Sequence, residues 1–144
     1  MEDISEYERQ QTKLAETHER YLKDSTKTGQ DLYEITQQEL VNLREQQSLQ
    51  KQALKLRKQE MQEQIMGSGY TKYVWWNDKD QTIEIDWDAI EGITDEETYK
   101  KVSELVNQAE DIQGKIDTAT DALFDIEDKI TDLEERYKEE FLDF

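Results

Sequence analysis

The chain has 144 residues, enough for one domain, of which 34% are hydrophobic and 38% charged, with no proline. That balance excludes a thick globular core and suits a long assembly two or three helices across; disorder, the other reading of such a composition, is opposed by sustained apolar patterning. A net charge of −18 and the lack of any dense basic patch exclude general binding to nucleic acid or anionic membranes, and the absence of cysteine excludes disulfides, Cys-based zinc sites and thiol catalysis.

In chain order, Met1-Glu2-Asp3 carries no apolar signal segment, so no signal peptide is expected, and no run of about eighteen apolar residues is present to span a bilayer. A first helix is predicted over 4–24, with a half-polar seam of Ile4, Tyr7, Gln11, Leu14, His18 and Tyr21 at 3–4 spacing. Small residues and glycine at 25–29 predict a turn.

A second helix is predicted over 30–66, where Leu32, Leu43, Leu54 and Ile65 recur every eleven residues. Gly67-Ser68-Gly69 then ends it, glycine being free to take the left-handed conformation there. The stretch 70–86 reads as a β-hairpin: aromatic and β-branched Tyr70 to Trp76, a turn over 77–81, then alternation from Thr82 to Asp86. A five-residue turn places Tyr73 and Trp75 on one face with Ile83, Ile85 and Trp87, and leaves Val74 and Trp76 on the other. Residues 87–91 suit one short helical turn.

Thr94 with Glu97 forms a predicted capping box for the third long helix, over 95–143. Its seam keeps a seven-residue clock: Val102, Leu105, Ala109, Ile112, Ile116, Ala119, Leu123, Ile126, Ile130, Leu133, Tyr137, Glu140 and Phe144, with Phe141 beside the one break. The expected fold is mainly α: a single elongated domain over 1–144, a long antiparallel helical hairpin or coiled coil of three helices with a small two-stranded β-hairpin at one tip.

Chemical motifs are sparse. His18, the sole histidine, lies on a helical seam with no nucleophile assigned to it, and reads as a half-buried packing residue. Asn77 to Thr82 resembles a calcium loop, but counting from Asp78 puts Ile83 and Ala89 where glycine and a bidentate glutamate belong. Asp86 and Asp88 flank Trp87 like a glycosidase pair, yet a slim helical hairpin offers no cleft, and one of them reads as the cap of the short turn. Tyr70, Tyr73, Trp75, Trp76 and Trp87 form either a mini-core or an exposed platform, with Trp76 the residue expected to face outward. No catalytic residue, cofactor or metal is expected.

The stretches Tyr73-Val74-Trp75-Trp76-Asn77-Asp78, Ile83-Glu84-Ile85-Asp86-Trp87-Asp88-Ala89-Ile90 and Asp121-Ala122-Leu123-Phe124-Asp125-Ile126-Glu127-Asp128-Lys129-Ile130 carry a resemblance. An aromatic hairpin followed by this coiled-coil stretch resembles a segment of large bacteriophage tail proteins, tape-measure-like virion structural proteins, over roughly residues 32–144. The resemblance implies a non-catalytic structural role of spacing, oligomerisation or contact with neighbouring virion proteins, and a location in the virion or host cytoplasm.

The expected interaction residues are Tyr73, Trp75, Trp76 and Trp87 at the tip, and Ile116, Leu123, Ile126, Ile130 and Leu133 on the seam. Partners are other protein chains, including a second copy, with no nucleic acid and no membrane. The rival is a small acidic inhibitor or nucleic acid mimic docking a basic groove, since Asp111, Asp117, Asp121, Asp125, Asp128, Asp132 and Glu135 crowd one stretch. A mimic presents rows of free carboxylates, whereas a strut pairs them with Lys or Arg at i,i+4.

Overall fold

The structure is a computed structural model and describes residues 4–24 and 26–139; the seam positions Glu140, Phe141 and Phe144 lie outside the described residues. Among those residues the order is α1 (Ile4–Lys23), α2 (Gly29–Met61), a π-turn (Gln62–Met66), β1 (Val74–Asn77), β2 (Thr82–Ile85), α3 (Trp87–Glu91) and α4 (Glu96–Tyr137). The chain is thus mainly helical with one small antiparallel sheet, as the patterning predicts.

Short polar residues set the helix ends. Asp24 Oδ1 accepts the Thr26 amide and hydroxyl at 2.9 and 2.7 Å, closing the turn after α1. Thr28 caps α2 in a reciprocal box: its hydroxyl accepts the Asp31 amide at 3.2 Å, while Asp31 Oδ2 accepts the Thr28 amide at 2.9 Å. At α4 the cap is Asp95 rather than Thr94, one residue later than expected. Asp95 Oδ2 accepts the Thr98 amide at 3.0 Å and also its hydroxyl. An ionised carboxylate at the positive helix end accepts more strongly than a hydroxyl, and that decides the position.

The chain divides into two compact units, residues 1–52 with 121–144 and residues 53–120, so α2 and α4 each contribute to both.

In the unit built on residues 53–120, Met61, Ile65, Val74, Val102, Ala109, Ile112 and Ile116 are buried together. The π-turn serves this core. The Gly67 amide donates to Gln62 O at 3.0 Å, one residue further back than in an α-helix, and Ile65 is fully buried four residues beyond buried Met61. A Cβ on Gly67 would stand 2.6 Å from Glu63 O, so the position demands glycine; Gly69 takes the left-handed conformation with φ +83°.

The hairpin pairs Val74 with Ile85, Trp75 with Glu84, Trp76 with Ile83 and Asn77 with Thr82. Opposed residues share a face, and Trp76, Ile83 and Ile85 pack beside Val74 on the core. This reverses the expected faces: Val74 and Trp76 point inward, and Trp75 lies opposite Glu84 on the other side. The cause is the loop, which has four residues instead of five. Asn77 belongs to the strand, while its Oδ1 accepts the Lys79 and Asp80 amides at 3.1 and 3.2 Å and Gln81 takes a positive φ of 57°. A shift of one residue turns every strand side chain over.

In the unit built on residues 1–52 and 121–144, Leu40, Leu43 and Leu133 form a small apolar cluster with half-buried Ile130. Buried beside them are five polar side chains, His18, Thr36, Glu39, Asn42 and Gln46. Helix α1 contributes no residue to the apolar cluster. It is tied to α2 by hydrogen bonds: Asn42 Nδ2 and Gln46 Nε2 both donate to Tyr7 O, at 3.1 and 3.2 Å.

Candidate functional site

Three places in the two units could carry function. The first is the aromatic hairpin. Tyr70, Tyr73 and Trp76 are half-buried against the core, and the Trp76 indole N–H donates to Asp78 Oδ1 at 3.3 Å. Trp75 is half-buried on the opposite strand face. Trp87 opens α3 and is 55% exposed, while Ile90 of the same helix is buried. The short helix is capped by Asp86, whose Oδ1 accepts the Ala89 amide at 3.0 Å. Asp86 is thereby used as a cap, the structural role expected of one carboxylate of that pair. Asp78 and Asp80 are likewise engaged inside the loop, by Trp76 and Gln81 and by Asn77.

The second is the interior of the unit holding α1. His18 Nδ1 lies 2.6 Å from Glu39 Oε1, with side chains only 2% and 5% exposed, and Gln11 Nε2 donates to Glu39 Oε2 at 3.4 Å. The histidine is fully buried rather than half-buried, because α2 supplies a carboxylate that the seam pattern of α1 could not reveal. The pair borders a cleft of about 820 Å³ whose wall also carries Glu8, Glu16, Asp125, Lys129, Asp132 and Arg136. A histidine oriented by a carboxylate is half of a nucleophilic constellation. The hydroxyl on the same wall, Thr12, is turned back onto its own helix, donating to Glu8 O at 3.1 Å. The dyad's evident work is to hold α1 on α2. Among the described residues no group of three or more His, Asp or Glu side chains is arranged to hold a metal ion.

The third is an apolar groove of about 610 Å³ between α1 and α2, with Tyr7, Leu14 and Val41 among its walls. Val41 is 59% exposed there. The sequence seams passed over Val41 because it is the one apolar residue on its face of α2, off the stripe that holds Leu40 and Leu43.

The expected seam residues fall mostly inside the units: Ile116, Ile126 and Leu133 are buried to 4% exposure or less, and Leu123 and Ile130 are half-buried. Large apolar side chains that do reach solvent are elsewhere; the most exposed are Val41, Phe124, Trp87 and Leu56, followed by Tyr99, Leu22, Tyr33 and Met66. Phe124 stands 58% exposed between exposed Asp121, Asp125 and Asp128.

The capping carboxylates have the clearest electrostatics. Asp95 is held below the ordinary carboxylate value by the Thr98 hydroxyl and then its amide, Asp24 by the Thr26 hydroxyl and then its amide, and Asp31 by the Thr28 amide and then its hydroxyl.

Among the described residues no helix is long and apolar enough to cross a membrane. Comparison of the chain with protein-family models, with characterised proteins and with solved structures finds no match to any of them.

Proposed function

We propose that the chain is a non-catalytic structural and protein-interaction module, a spacer and assembly surface of the kind found in phage tail and virion proteins. In this reading α2 and α4 pack as an antiparallel coiled coil, and exposed apolar side chains of each unit are anchors for other chains. The observation that carries it is the division of apolar residues into two sets. The regular stripe of α4, including Ile112, Ile116, Ile126 and Leu133, is spent on internal packing, while Val41, Leu56, Trp87 and Phe124 stand exposed on otherwise charged helices. Aromatic residues exposed in this way are the usual anchors of protein interfaces.

The ion pairing of α4 supports a strut over a nucleic acid mimic. Lys101 lies 3.7 Å from Glu97, Lys115 3.1 Å from Asp111 and Lys129 3.1 Å from Asp125, each four residues apart. That is the self-neutralising pattern of a solvated helix.

The test is the size at which the native chain elutes from an extract of its source. The expected result is a complex well above the 17.2 kDa of the free chain, lost in a Trp87→Ala, Phe124→Ala variant that keeps its helical circular dichroism. Elution of the native chain as a free 17.2 kDa species would overturn the reading.

A further inference from the structure

We infer that the groove between α1 and α2 is the docking site for a second copy of this chain, in a two-fold dimer where Lys13 of each copy meets Glu45 of the other. The inference deepens the proposed function and rests on it. The groove is walled by the apolar Tyr7, Leu14 and Val41; among its remaining lining residues, Lys13 on α1 and Glu45 on α2 are the charged ones, and the others are Gln and Asn. It is therefore electrically neutral, in a molecule that carries −18.

That neutrality selects the partner. Two molecules of this charge repel one another over most of their surface, and the face where they can meet at least cost is one without excess carboxylates. Phe124 is as exposed as Val41, but self-pairing there would set Asp121, Asp125 and Asp128 against their own copies. Trp87 has the same difficulty with Asp86 and Asp88 on either side. At the groove the two charges have opposite sign and lie on opposite walls. In a two-fold interface every contact occurs twice with its members exchanged. One Lys13–Glu45 contact thus generates the second, and the Val41 side chains come together with the flanking Tyr7 and Leu14.

Sedimentation of the purified chain across a concentration series tests this. The wild type is expected to rise from 17.2 kDa toward twice that mass, and Val41→Glu to stay at 17.2 kDa. Lys13→Glu is expected to weaken the dimer roughly tenfold, since each of two pairs changes from attraction to repulsion, and Lys13→Glu with Glu45→Lys to restore it. All three positions are at the surface of their helices, and circular dichroism verifies that each variant is folded. A wild-type chain that stays at 17.2 kDa throughout, a dimer indifferent to Val41→Glu, or a double exchange no better than Lys13→Glu alone would overturn the inference. A purified chain that is monomeric yet enters a larger complex in its source extract would remove the dimer and leave the interaction module standing.

Discussion

The side-chain carbonyl of Gln113, on α4, accepts the backbone amide of Ile83, on β2, at 2.6 Å. The Gln113 side-chain Nε2 in turn donates to Gln81 O at 3.3 Å and to Asp117 Oδ1 at 2.9 Å. In an antiparallel ladder, alternate residue pairs turn their amides away from the partner strand. Trp76 and Ile83 form such a pair, and both outward amides are met: Ile83 by Gln113, and Trp76 by Met66 Sδ at 3.2 Å. A primary amide on a helix thus stands where the peptide of a third strand would be. This lets a two-stranded ribbon, marginal by itself, persist with covered edges.

Gln113→Ala should therefore destabilise the chain by about 1–2 kcal/mol, the cost of a part-buried donor losing its acceptor. Hydrogen exchange should localise the effect: the Ile83 amide should exchange faster, with the amides of α1 unchanged.

The glycines separate by what surrounds them. Gly67→Ala should cost about 1–3 kcal/mol, because the new Cβ meets Glu63 O at 2.6 Å and the π-turn must distort. Gly114→Ala meets nothing within 4 Å on the exposed side of α4 and should stabilise by about 0.5–1 kcal/mol. Urea denaturation of the two variants should move the midpoint in opposite directions.

Breaking the His18–Glu39 pair from one side should be severe. Glu39→Ala is expected to cost about 3 kcal/mol or more, since it removes the carboxylate that meets both the buried His18 ring and the Gln11 amide, whereas replacing both His18 and Glu39 by leucine should be close to neutral. A double-mutant cycle by urea denaturation reads the difference; a double-variant loss equal to the sum of the two single losses would show that the pair is not coupled.

The capping aspartates make a pH prediction of definite sign. Asp24, Asp31 and Asp95 have folded values below the ordinary carboxylate value of 3.8, so the stability they confer is present above 3.8 and is lost as the pH falls through their folded values. Carboxyl carbon NMR should show all three titrating below 3.8. Thr98→Ala should bring Asp95 back upward, since the Thr98 hydroxyl is the largest cause of its shift.

The tryptophans should differ in the direction opposite to their expected roles. Trp76→Ala should cost about 2–3 kcal/mol, as it removes a ring packed on the core, and Trp87→Ala should stay within about 0.5 kcal/mol. Thermal melts followed by circular dichroism suffice to rank them.

Helix positions were legible because burial on one face imposes a period that 42 residues of α4 repeat many times. The eleven-residue repeat of Leu32, Leu43, Leu54 and Ile65 was informative in the same way, for Leu43 and Ile65 are fully buried and the other two half-buried. The hairpin faces were not legible. They hang on whether Asn77 ends a strand or begins a loop, and its side chain does both. Glu39 and Gln113 escaped notice for another reason: each is an ordinary polar helix residue until a second element, His18 or Ile83, is brought against it. Val41 was hidden by its isolation, since a lone apolar residue has no period.

The polar attachment of α1 has a thermal consequence. Burial of apolar surface gives unfolding its large heat capacity and the curvature of its stability with temperature. Helix α1 adds nothing to the apolar clusters and is held through Tyr7 O, Gln11 and His18. Its detachment therefore carries a smaller heat-capacity change than the opening of an apolar core, and its free energy curves less with temperature. The core lined by Met61, Ile65 and Ile112 follows a dome instead. Cooling consequently weakens that core more than it loosens α1, so the two parts of this chain respond to cold to different degrees.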